Sequence, residues 1–147
     1  MSSVMLFINC KVSLSMSRPQ FIFKMLQCLF ALVWVANGLL CKVLDLVPRH
    51  RHIVGQILGE AYSSELTILI GVGELFIAAW VLSNYKVQWL ALVQILLVTG
   101  MNIIEFLLVP EYLLWGRYNL LFATLFSLLI YYTYFVLYSK LKPDSHA

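Results

Sequence analysis

Near its C-terminal end the chain reads YNLLFATLFSLLIYYTYFVLYS, Tyr118–Ser139, a stretch that lies between Arg117 and Lys140 and carries no charged side chain. The stretch is 22 residues long. A helix rises about 1.5 Å per residue, so about 20 residues cross the roughly 30 Å hydrocarbon layer of a bilayer. Because apolar and polar residues do not alternate here, as they would in a barrel strand, the stretch predicts a membrane-spanning helix.

Three further apolar runs of similar length precede this one. The first, Met25–Cys41, extends back to Phe21 because Lys24 can snorkel to the lipid headgroups. The second and third runs are interrupted only by Glu74 and Glu105. The predicted spans are about residues 21–41, 66–85, 87–109 and 118–139. The sequence therefore predicts an all-α fold, an antiparallel bundle of four transmembrane helices with both chain ends on the same side.

The composition agrees with a protein embedded in lipid. Hydrophobic residues make up 62% of the 147 residues, charged residues only 12%, and the mean hydropathy is +0.88. A soluble domain carries about 25% charged residues. The net charge of +3, without a stripe of Lys and Arg, argues against a nucleic-acid partner. The three cysteines contain no C-x-x-C pair, which argues against a disulfide framework.

The sequence offers no catalytic motif of its own. It contains no P-loop, nucleophile elbow, H-E-x-x-H or dinucleotide fingerprint, which leaves open whether the chain is an enzyme. His50 and His52 form an H-x-H pair that could hold a metal or haem. No second set of ligands lies near them, so we expect a solvated basic loop and no metal site.

The segments outside the spans are short. Residues 1–20 are expected to be a poorly ordered N-terminal segment, residues 21–139 the membrane domain and residues 140–147 a tail. Between the first two spans, apolar residues follow Pro48 at helical spacing: Ile53, Val54, Ile57, Leu58 and Ala61. This pattern predicts a short amphipathic helix lying in the membrane interface, or one folded back as a lid over the bundle.

The distribution of Lys and Arg indicates the orientation. The side that holds both chain ends carries six of these residues: Lys11, Arg18, Lys24, Lys86, Lys140 and Lys142. The other side carries four: Lys42, Arg49, Arg51 and Arg117. Since cytoplasmic loops carry the excess of positive charge, both ends are predicted to lie in the cytoplasm.

Polar and ionisable residues inside the spans form a pattern. Counted from the span ends at a helical rise, they fall in the half of the bilayer opposite the termini. The candidate cluster consists of Asn37, Lys42, Glu74, Asn102, Glu105, Arg117 and Asn119. In the second span, Thr67, Gly71, Glu74 and Ala78 share one stripe, and in the third Gln94, Val98, Asn102 and Glu105 share another. Because ionisable groups in lipid face the bundle interior, both stripes are predicted to enclose a polar pocket.

Two interpretations of this cluster are open. Glu74 and Glu105 could form a small-ligand or proton-handling site, since perturbed carboxylates suit proton transfer. Alternatively, Arg117 could neutralise Glu105 across the short hairpin that joins them, and the cluster would only hold the helices together. Glu74 has no obvious partner nearby in the sequence.

The order of several short motifs resembles a known family. G-L-x-x-K at Gly38–Lys42 is followed by Pro48, His50 and I-V-x-x-I-L-G. I-G-V-G-E ends at Glu74, M-N-I-I-E ends at Glu105, and P-E-Y-L-L-W-G-R-Y-N follows. Over roughly residues 26–138, this order is similar to the DoxX-like family of small four-helix bacterial membrane proteins.

The resemblance implies a location in the bacterial inner membrane and a role beside an oxidoreductase. The wider DoxX superfamily includes the small membrane subunit of thiosulfate:quinone oxidoreductase. In this branch the domain also occurs behind a nucleotide-sugar-epimerase-like dehydrogenase domain. The resemblance therefore implies an accessory or anchoring subunit for a redox or dehydrogenase partner, with quinone as the candidate ligand. A small proton-coupled transporter and a purely structural assembly protein are the alternatives. The two halves of the chain show no similarity that would support the transporter.

Overall fold

A computed structural model describes residues 17–113, 115–116 and 118–141. The described part contains helices and turns and no strand. Four helical segments are long and apolar enough to cross a membrane, and we call them the first to fourth spans: Arg18–Val43, Glu60–Ser83, Val87–Leu108 and Tyr118–Leu141. The predicted all-α bundle of four transmembrane helices is thereby confirmed, and the chain is an integral membrane protein. The N-terminal segment was predicted over residues 1–20 and the tail over residues 140–147; of these, residues 1–16 and 142–147 lie outside the described residues. Arg18–Gln20 belong to the first helix and Lys140–Leu141 to the last.

The first and fourth spans are not α-helical throughout. The first begins as an α-helix, Arg18–Val35, and continues as a π-helix, Ala36–Val43. The fourth consists of an α-helix, Tyr118–Tyr131, a π-helical turn, Tyr132–Leu137, and a last short helix, Tyr138–Leu141. The second span opens with a 3₁₀ turn, Glu60–Tyr62, before its α-helix, Ser63–Ser83.

Local sequence signals set where the spans begin and turn. At the start of the first span, the Gln20 side chain accepts a hydrogen bond of 3.1 Å from the backbone N–H of Ser17, and Pro19 occupies the first turn. Between the second and third spans, Asn84 and Lys86 adopt positive φ angles of 55° and 45°. This tight reversal makes the second and third spans antiparallel.

The connecting helix, Arg49–Leu58, lies between the first two spans, where the apolar pattern predicts a helix. Its residues Ile53 and Val54 are buried, and the helix packs on the second span. The predicted apolar face was too long, because Leu58 is 59% exposed and Ala61 lies in the following 3₁₀ turn. The helix ends at Gly59, whose φ of +102° turns the chain away before Ala61 can join that face.

The hydrophobic core occupies the half of the bundle near the chain ends. Fully buried side chains from all four spans meet there, among them Phe30, Val81, Leu90 and Ile130. The buried ring of Tyr134 packs against Phe30 and Phe23. Large apolar side chains such as Leu32, Phe76, Leu96 and Leu107 point outward, as expected for surfaces that contact lipid. The opposite half of the bundle is therefore the part in which polar side chains and free space collect.

Candidate functional site

A buried ion pair joins the first two spans. The Lys42 ammonium bonds to the Glu74 carboxylate, and the two residues are only 4% and 5% exposed. The sequence placed Lys42 at the outer end of the first span and gave Glu74 no partner. The structure continues the helix to Val43 as a π-helix, which turns Lys42 inward. Since an isolated charge in lipid is costly, each residue stabilises the other in its charged form.

The same two spans approach each other closely beside this pair. A Cβ atom built on Gly38 would lie 2.6 Å from the carbonyl oxygen of Gly71, and one built on Gly71 would lie 2.7 Å from that of Gly38. A side chain at either position would clash with the backbone of the facing span. The predicted small-residue stripe of the second span is buried at Thr67, Gly71, Glu74 and Ala78. This crossing brings the Lys42 side chain within reach of Glu74.

A cavity of about 600 Å³ lies in this half of the bundle. The predicted polar residues Asn37, Lys42, Glu74, Asn102, Glu105 and Asn119 all line it. Arg117, the remaining member of the predicted cluster, lies outside the described residues, so its pairing with Glu105 stays a prediction. That the lining residues bind a ligand likewise stays a prediction.

The third and fourth spans contribute an amide pair to the lining. Asn119 donates a hydrogen bond of 2.7 Å to the side-chain oxygen of Asn102. The side-chain amide nitrogen of Asn102 in turn donates a hydrogen bond of 2.8 Å to the backbone carbonyl of Val98. Glu105 follows Asn102 by three residues on the same side of the third span and is partly buried. In the described part of the chain, no Lys, Arg or His nitrogen lies within 4.0 Å of its carboxylate.

The connecting helix adds two residues that the sequence analysis did not place in the site. Arg49 and His50, on its first turn, both line the cavity. Burial, together with the nearby charges of Lys42 and Arg49, lowers the pKa of His50 from 6.5 to about 4. His50 is therefore neutral near pH 7 and can donate or accept a hydrogen bond. The prediction that this helix could fold back over the bundle as a lid was the signal that could have placed both residues in the site.

A second buried polar contact lies at the end of the cavity nearer the hydrophobic core. Trp34 donates a hydrogen bond of 2.8 Å from its indole nitrogen to the Gln94 side chain, joining the first and third spans. Phe126 lines the cavity and contacts Phe30 edge to face, with ring centroids 5.5 Å apart. Below these contacts the bundle is filled by the hydrophobic core. Among the residues with described positions, no three His, Cys, Asp or Glu side chains are arranged to hold a metal ion.

Comparison with protein families finds a match that covers the residues lining the cavity. The model of the DoxX-like family matches residues 31–132, which is more than half of the chain. The chain belongs to the DoxX-like family. The matched segment of this DoxX-like protein extends from the first span into the fourth and includes every residue of the predicted cluster. No curated protein and no solved structure matches the chain.

Proposed function

We propose that this DoxX-like protein is an accessory membrane subunit whose cavity holds a lipid-soluble ligand for an oxidoreductase or dehydrogenase partner. The observation that supports this most directly is the cavity itself. Its volume of about 600 Å³ falls within the range of about 300–1,000 Å³ typical of small-molecule sites. Its location within the spans suits a ligand that is dissolved in the bilayer.

The lining is divided into a polar and an apolar part. In the first span, Asn37 and Lys42 lie nearer the outer end than Val33 and Trp34. The third and fourth spans repeat this order: the polar members are Asn102, Glu105 and Asn119, and the deeper apolar members include Val98, Phe122, Phe126 and Leu129. Such a cavity matches an amphipathic molecule with its polar head toward the connecting helix and its apolar part toward the bilayer centre.

The cavity also reaches the lipid-facing surface. Phe122 and Leu125 line it, yet they are 49% and 53% exposed. Because exposed side chains at this depth contact acyl chains, a ligand could enter sideways between the first and fourth spans. This access route favours a membrane-dissolved ligand over a water-soluble one.

A quinone is the candidate that the family relation suggests, and the lining fits it in two respects. Quinone carbonyls accept hydrogen bonds, which His50, Arg49 and the asparagine amides can donate. The aromatic and aliphatic wall would contact the ring and the start of an isoprenoid tail. The partner, the bacterial inner membrane and the cytoplasmic location of both ends belong to the same proposal, which rests on the family and on the Lys and Arg distribution.

Purification in a mild detergent tests this proposal. We expect an oxidoreductase to co-purify and a lipid-soluble ligand to be recovered by solvent extraction of the complex. Ala123→Phe, which adds a ring to a buried cavity residue, should release the extracted ligand. Thr124→Phe, at the adjacent exposed position, is the matched control and should retain it. A homo-oligomer that carries neither a partner nor an extractable lipid-soluble ligand would overturn the proposal.

A further inference from the structure

The side chain of Arg49 has two buried nitrogen donors that form no hydrogen bond with a described group. Its Nε and Nη1 atoms are shut off from solvent and have no hydrogen-bond partner in the described part of the chain. Arg49 as a whole is half-buried, but buried guanidinium nitrogens normally donate to a carboxylate, phosphate or carbonyl oxygen, because removing them from water is costly. The contrast with its neighbour is direct, since Arg51 bonds to the Asp45 carboxylate at 2.7 Å.

No described carboxylate forms an ion pair with Arg49. Lys42 and Glu74 neutralise each other. Asp45 is engaged by Arg51, and no Glu105 oxygen lies within 4.0 Å of the Arg49 guanidinium. His50 is neutral near pH 7 because its pKa is lowered to about 4. Among the lining residues that the structure describes, Arg49 is therefore the cation that keeps free donors, at the polar end of the cavity.

We infer that Arg49 binds an oxyanion of the cavity ligand, so that the ligand is an amphiphile with a carboxylate or phosphate head and a hydrocarbon tail. This inference rests on the ligand-binding role proposed above but replaces quinone as the candidate ligand, since a neutral quinone lacks such a head. Guanidinium nitrogens bind both oxygens of a carboxylate or phosphate in parallel, which adds geometric selectivity to the charge. The tail would follow Phe122, Phe126 and Leu129 toward the lateral opening.

The charge of Glu105 should weaken the binding of an anion and therefore provides a second test. It lines the same cavity from the third span, so its negative charge would repel an acidic head. Neutralising Arg49 and neutralising Glu105 should change the affinity for a simple acid in opposite directions.

Fluorescence quenching of Trp34 measures occupancy, because this residue lines the cavity. Replacing Trp80, Trp89 and Trp115 by Phe leaves Trp34 as the single tryptophan of the chain. This protein is titrated in detergent with four probes: a dibrominated fatty acid, the matching fatty alcohol, a dibrominated phosphatidic acid and a decylquinone. The fatty acid and phosphatidic acid distinguish a carboxylate from a phosphate source.

We expect saturable quenching by at least one acidic probe and at least about tenfold weaker binding in Arg49→Gln, as for the loss of a charge-assisted hydrogen bond. Arg49→Lys, which keeps the charge without the paired donors, should be intermediate and shows that the site still folds. Arg51→Gln removes the same charge from the same helix and should leave binding unchanged. Glu105→Gln should tighten binding of the fatty acid.

Two results would overturn the inference, and they differ in their bearing on the proposed function. If the alcohol or the decylquinone saturates as tightly as the acids, or if Arg49→Gln behaves like Arg51→Gln, the anion assignment is wrong and the cavity remains a ligand site. If none of the four probes quenches saturably, the ligand-binding role itself is wrong.

Discussion

Lys42 and Glu74 carry charges in a region where neither would be stable alone. Lipid offers no water to an unpaired ammonium or carboxylate, and the two side chains are almost fully buried. The pair therefore ties the depth of the first span to that of the second.

Removing one member of this pair should be costly. We expect Lys42→Met and Glu74→Gln each to lower the free energy of unfolding by about 3–5 kcal/mol, because each leaves an unpaired buried polar partner. The double variant Lys42→Met/Glu74→Leu should recover much of the loss. Unfolding in mixed detergent micelles measures this, with Glu65→Gln, an exposed carboxylate on the second span, as the control. Single variants as stable as the control would show that the pair contributes nothing.

His50 should make the stability depend on pH. The folded protein holds His50 neutral down to about pH 4, whereas the unfolded chain binds a proton near pH 6.5. Because the unfolded state then binds more protons, stability should fall as the pH drops from 6.5 to 4 and the contribution should level off below that. Thermal unfolding of His50→Gln should show a shallower pH dependence in this window. His52→Gln, at an exposed position, should retain the wild-type slope.

The sequence predicted the types of residue in the candidate site better than their pairing. Six of the seven predicted residues line the cavity. Their depth could be predicted because helical rise converts sequence position into distance along the membrane normal. The Lys42–Glu74 pair joins positions 32 residues apart and depends on how two helices cross, which a single sequence does not specify. Arg49 and His50 were missed because their placement depends on the connecting helix folding against the bundle.

At the scale of helices, the crossing of the first two spans depends on the absence of side chains at Gly38 and Gly71. We expect Gly71→Ala to destabilise the protein by about 1–3 kcal/mol, as overpacking does, because the new Cβ would lie 2.7 Å from a backbone oxygen. Gly73→Ala is the control on the same helix: a Cβ there meets nothing within 4 Å. It should be neutral or stabilise the helix by up to about 1 kcal/mol. Equal losses of stability in both variants would show that the two spans can move apart at the crossing without further cost.

Span positions were readable because lipid imposes a length on any apolar helix. The predicted third and fourth spans start at the residues where the helices begin, Val87 and Tyr118. The first helix begins at Arg18 rather than at the predicted Phe21, because Ser17 and Gln20 cap it earlier. The π-helical segments were not predicted, since the wider turn arises from packing rather than from residue preference.

At the scale of the whole molecule, the buried Lys42 changes the count of positive charges from which the orientation is predicted. It no longer acts as a loop cation, which leaves Arg49, Arg51 and Arg117 on that side against six Lys and Arg residues on the side of the termini. Green fluorescent protein becomes fluorescent only when it folds in the cytoplasm. We therefore expect a copy fused after Leu141 to fluoresce and a copy fused after Val47 to remain dark. A fusion after Lys86 should fluoresce like the first and serves as the control. The reverse pattern would place both ends outside.

The π-helical segment Ala36–Val43 has a consequence for how this chain tolerates changes in length. Each residue of an α-helix advances the angle around the axis by roughly 100°, whereas here the Leu44 N–H bonds back five residues to Leu39. Rewinding the segment as an α-helix at its full length would swing Lys42 roughly a quarter-turn around the axis, off the Glu74 carboxylate. Deleting one residue would instead restore the narrower winding and leave Lys42 on nearly the same side, because each π-helical turn holds roughly one residue more than an α-helical turn. A first span shortened by one residue here would still cross the bilayer with its ammonium toward Glu74, whereas one rewound at full length would turn the ammonium toward hydrocarbon.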